Sequence, residues 1–205
     1  MTRYNRIARD FWAWREVIEL GPPPCAPTTM LLYLLSRDRP SVIAGLLQLG
    51  PGGIVDVDCD RTDGIDDGTS WANAYTDLQT ALRIAQSGQE IWVAEGTYKP
   101  TWQWIGGTAR TETFWLVSGA AVYGGFRGVE SSRDQRDWTQ YVTRLSGDLS
   151  GNDSGFTNNE ENACSVVFAI SVNSNTILDG VTISNGNGTD TAPWVQGAGL
   201  YAEVS

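Results

Sequence analysis

Beyond residue 50 the chain has one stretch of strong helical periodicity. Trp71, Ala74, Leu78, Leu82 and Ala85 recur at three- and four-residue intervals, which places them on one face of a helix. Ser70 or Asn73 is positioned to cap its start. Asp77 sits early, where the helix dipole favours an acid, and Arg83 sits late. Ser87-Gly88 is expected to end it, with Gly88 as a left-handed C-cap.

After that helix the pattern changes to short β-prone runs. Ile91 to Ala94 is closed by Glu95-Gly96-Thr97, and further strands are expected over 114–117, 121–126, 143–147, 166–170, 176–183 and 199–201. Val122 to Phe126 lines up with Ile177 to Val181, which sets Gly125 and Gly180 55 residues apart. That spacing predicts roughly two turns of a parallel coil with loop insertions. Residues 99–113 and 148–163 then become side loops. Asn173, Asn175 and the segment Asn185 to Gly188 suit left-handed corners. An antiparallel sandwich would instead require tight Asn-Gly hairpins, and only Asn185-Gly186 offers one.

Residues 1–50 read differently. Ile7, Phe11, Trp14 and Ile18 form a stripe on a helix from Tyr4 to Leu20, which Gly21 and Pro22 to Pro24 must end. Two short apolar helices, 29–36 and 42–49, are separated by Arg37-Asp38-Arg39-Pro40. Neither is long enough to span a bilayer, and the run from Met30 lacks the basic start of a secretory signal. We expect a small helical appendage over 1–50, or a start codon assigned too far upstream. If Phe11, Trp12 and Trp14 are uncovered, the stripe would instead bind a partner.

Charge sharpens the boundary near Gly50. Residues 1–50 carry six arginines and four acids; the remainder carries eight basic and twenty acidic residues, toward a total of -10. So acidic a surface argues against nucleic-acid or anionic-membrane partners. The 23 glycines, nine tryptophans and single lysine suit an extracellular β protein rich in turns. Cys25, Cys59 and Cys164 are too few for a disulfide framework, and free thiols are expected over a Cys59–Cys164 bridge. With no histidine, this chain has no His-based triad and no His-ligated zinc.

Six aspartates crowd into residues 56–67. Asp56, Asp58, Asp60 and Asp63 are candidate calcium ligands, since hard oxygens at alternate positions suit that ion. An EF-hand loop begun at Asp56 would need glycine at its sixth place and a bidentate acid at its twelfth. Arg61 and Asp67 stand there instead. The plainer reading is a solvated strand edge whose charges discourage edge pairing.

The blocks from Gly68 to Thr101, Ala121 to Trp138, Thr143 to Asp148 and Thr176 to Gly188 together resemble the start of bacterial right-handed parallel β-helix proteins. These are pectin-lyase-like surface proteins, including relatives of the chlamydial polymorphic outer-membrane proteins. The segment Gly197 to Leu200 is similar to one imperfect copy of that group's glycine-apolar repeat. The resemblance covers about Ile54 to Tyr201. It implies a mainly β fold over 51–205: a right-handed parallel β-helix with an N-terminal capping α-helix, and an extracellular or outer-membrane surface location. Family members usually run longer. An uncovered last rung leaves bare strand edges, so a fragment of a longer protein, or pairing of that end with another chain, is expected.

The fold class also hosts polysaccharide lyases and glycoside hydrolases. Candidate acids are Asp148, Asp153, Asp179 and Asp190; candidate bases are Arg127 and Arg144; none clusters in sequence. Asp148 and Asp179 read better as turn caps, and the charged block 131–138 as a loop fastener. No catalytic residue and no cofactor other than calcium is expected. Trp102, Trp104 and Trp115 are candidate glycan contacts, against the alternative that they pack the 99–113 loop. Two functions follow: a non-catalytic surface β-helix for adhesion, glycan contact or scaffolding, or a carbohydrate-active enzyme whose catalytic rungs lie beyond residue 205.

Overall fold

The computed structural model describes residues 52–103, 108–188 and 199–203. The expectations for the 1–50 appendage, Trp104, Asp190 and Gly197-Ala198 lie outside these residues.

The fold is mainly β, and every strand pairing is parallel. The described residues form ten strands: β1 (Ile54–Val57), β2 (Glu90–Ala94), β3 (Gly96–Tyr98), β4 (Phe114–Trp115), β5 (Ala121–Phe126), β6 (Thr143–Ser146), β7 (Val167–Ile170), β8 (Ile177–Asp179), β9 (Val181–Ser184) and β10 (Leu200–Glu203). They form three sheets, ordered β1-β2-β5-β8, β3-β6-β9 and β4-β7-β10. From β2 onward the chain visits the first, second and third sheet in turn, three times over.

The registers stack like residues in columns. Val55, Ile91, Val122 and Leu178 lie side by side across the first sheet, and Tyr98, Leu145 and Ile183 across the second. Phe114 pairs with Val167 in the third. Side chains alternate between faces along a strand, so these inward columns meet in one apolar cluster. The intervening residues point outward. On the first sheet these are Asp56, Trp92, Tyr123 and Asp179; on the third they are Trp115, Phe168 and Tyr201.

Among the described residues one α-helix is present: α1 (Leu78–Ile84) lies between β1 and β2 in sequence and packs against β1, β2 and β4. Leu78, Ala81 and Leu82 are buried among Val55, Val57, Ile91 and Val93. The helix is shorter than its periodicity predicts, and its caps differ. Asp77 is the N-cap: its carboxylate accepts from Gln79 N at 2.9 Å and from Thr80 Oγ1 at 3.1 Å. Residues 71–73 form a separate 3-10 turn, and Tyr75 bridges Val57 in parallel. The helix ends at Ala85, and Gly88, at φ +88, serves the next turn instead. Trp71 therefore leaves the helical face, packing its ring on Phe126 and donating from Nε1 to Glu130 O at 2.8 Å. Asp77→Ala should lower stability by about 1 kcal/mol, since it orphans the Gln79 N–H; a urea titration checks this.

Two strand expectations are corrected. Residues 96–98 form a strand of their own, and 176–183 splits into β8 and β9 at Gly180, whose φ of +71 turns the corner. The glycine alignment is off by one: Val122 pairs with Leu178, not Ile177. A bulge explains the slip, because Trp92 pairs with Tyr123 while Ala94 pairs with Phe126. Gly124 is the residue stacked on Gly180. A Cβ on Gly180 would lie 2.6 Å from Gly124 O, so both positions need bare backbone. The interval is one circuit, not two.

Candidate functional site

The outer face of the first sheet is a covered aromatic patch. Trp92 stacks on Phe126 at 4.7 Å, and Arg133 and Arg136 lie over the Tyr123 ring. Arg133 pairs with Glu90 at 2.7 Å and Arg136 pairs with Asp179. The charged block 131–138 thus fastens its loop to the sheet. Asp179 is the anchor for that loop, not the turn cap expected for it.

Asp56 shares this face. It is buried, its Oδ1 has no hydrogen-bond partner, and its carboxyl is pushed up to about 7, first by burial and then by the nearby Glu130 charge. A carboxyl protonated near neutrality is what a general acid requires. Yet Glu130 commits both oxygens to the N–H groups of Arg127, Gly128 and Val129, so the pair lacks a second free acid. The other aspartates of the run do local work. Asp58 accepts from Asp60 N, Asp63 pairs with Arg61, Asp66 accepts from Thr76 N, and Asp67 accepts from Thr69. Asp56, Asp58, Asp60 and Asp63 are not brought together.

A different acid set does converge. Among the described residues, Asp148, Asp153 and Glu161 each offer an oxygen within 4.8 Å of the others. Asp148 does cap its turn, accepting from the N–H groups of Gly151, Asn152 and Asp153. Burial pushes its carboxyl up, but those N–H groups and Lys99 pull it further, leaving it below the usual range. Asp153 Oδ2 accepts from Asn162 Nδ2 at 2.8 Å and Asn185 Nδ2 at 2.6 Å. Asp148 and Asp153 were visible as candidates in the sequence; Glu161 was not. The signal available was four acids, Asp148, Asp153, Glu160 and Glu161, within fourteen residues.

On the third sheet Trp115, Phe168 and Tyr201 form a run that Trp102, from the loop after β3, extends. Trp102 meets Trp115 edge-on at 5.9 Å, Trp115 meets Phe168 at 5.9 Å, and Phe168 meets Tyr201 at 5.5 Å. Trp102 is 38 % exposed, Trp115 and Tyr201 are half-buried, and Phe168 is buried. Strand alternation would have placed Phe168 and Tyr201 outward beside Trp115, once the register was known. No disulfide joins Cys59 and Cys164, and Cys59 is a free thiol. No helix of the described residues is long and apolar enough to cross a membrane.

Comparison with protein-family models, curated proteins and solved structures finds no match to this chain.

Proposed function

We propose that residues 51–205 are the capped start of a right-handed parallel β-helix, a non-catalytic, secreted or cell-surface scaffold that contacts glycans. The regular visiting order of three parallel sheets supports the coil, and parallel crossovers are right-handed in nearly all proteins. The burial of α1 among the first strands supports its capping role. Among the described residues, β8, β9 and β10 each pair on one side only, and Ile177 and Leu200 are exposed there. That supports the addition of further rungs or another chain at this end.

The observation carrying the glycan reading is the exposed ring of Trp102, with half-buried Trp115 and Tyr201 on the same outward side. Aromatic faces and edges in a row along a rigid sheet can stack on successive sugar rings. Affinity gel electrophoresis against a panel of acidic and neutral polysaccharides tests it. The chain should be retarded by at least one of them, and Trp102→Ala should weaken that retardation about tenfold, by loss of one stacking ring. Unretarded migration on the whole panel, or equal retardation of the variant, would remove the reading. Release of reducing or unsaturated ends by the chain would favour the enzyme alternative.

A further inference from the structure

We propose that the loop joining β6 and β7 binds one calcium ion, held by the carboxylates of Asp148, Asp153 and Glu161 and the side-chain oxygen of Asn162. Calcium takes oxygen ligands at about 2.4 Å, so two oxygens on one ion lie no more than about 4.8 Å apart. The three carboxylate oxygens meet that limit.

The second observation is independent of the acids. Asn162 is 1 % exposed, and its Oδ1 has no hydrogen-bond partner. Its amide is aimed into the cluster, since Nδ2 reaches Asp153 Oδ2 at 2.8 Å. Turning that amide over exchanges nitrogen for oxygen and presents a neutral ligand to the same point. Asp153 Oδ1 and Glu161 Oε1 are likewise buried without a donor. Each unmet buried acceptor costs about 1–3 kcal/mol. Two of these acceptors are on carboxylates that lie within reach of one ion, which calls for a cation more than for a hydrogen-bond donor. Lys99 reaches the loop at Leu149 O, 3.5 Å away, and Arg110 donates from Nε to the backbone oxygen of Asn162 at 3.0 Å. Oxygen-only donors select calcium over zinc or copper.

The test uses the full chain, stripped with EDTA and dialysed, titrated calorimetrically with calcium chloride. We expect one saturating site and a rise in Tm of roughly 5 °C at saturating calcium. Glu161→Gln should weaken binding about tenfold or more, because affinity follows the ligand charge count. Asp63→Asn, an exposed acid outside the cluster, should bind as the parent does. Absence of binding heat and of a Tm shift in the parent overturns the proposal, as does parental affinity in a folded Glu161→Gln. An equal Tm rise from magnesium chloride overturns it too, since that reports charge screening alone. If Glu161→Gln does not fold, the parent titration beside Asp63→Asn decides.

Discussion

Replacing Phe114 by alanine should cost about 3–5 kcal/mol of unfolding free energy, the range for emptying a large aromatic site in a packed core. Phe114 is fully buried and begins the first strand of the third sheet. Its backbone N–H donates to Val166 O at 2.9 Å, and its side chain joins the cluster that takes in Leu78, Ala81 and Leu82 of α1. Alanine would open a void where helix and sheets meet. A domain's whole margin is about 5–15 kcal/mol, so the variant should show a much earlier urea midpoint or fail to fold. A loss below about 1 kcal/mol would mean that the helix does not depend on this contact.

The second large effect is a dependence on pH. Asp56 titrates near 7 in the folded chain against an ordinary value near 4, because burial and Glu130 disfavour its charge. Below about pH 4 the group is protonated in both states and contributes nothing. Between about 4 and 7 the folded chain keeps a proton that the unfolded chain has released, so stability falls as pH rises. Above about 7 the penalty is constant, at up to about 4 kcal/mol for three pH units. Asp56→Asn should remove this slope and leave the variant more stable than the parent at pH 8. Urea titrations of both chains at pH 5 and pH 8 measure the difference. A parent whose stability does not fall between those values would show that Asp56 stays charged.

The strands were largely legible in the sequence because parallel pairing buries long apolar runs such as Ala121 to Phe126 and Val167 to Ile170. Register was not, since it depends on the bulge at Gly124-Gly125, and the sequence only shows two adjacent glycines there. The helix start was misplaced because Trp71 and Ala74 fit a helical stripe by spacing alone. Asp77, sequestering Gln79 N, starts the helix later and frees Trp71 for the outer face. The aromatic column was half visible, in Trp102 and Trp115. Its other half belongs to strands that meet only after the chain has gone once round. The acidic cluster was hidden for the same kind of reason: folding of one loop brings Glu161 back to Asp148, and spacing along the chain does not reveal it.

The stacked partners Glu90, Ala121 and Ile177 are 31 and 56 residues apart, yet their strands sit in one continuous ladder. All the surplus length leaves the ladder at corners and returns to the same place. Side loops can therefore lengthen or change like attachments on a fixed rail, while the strand register beneath them stays as it is.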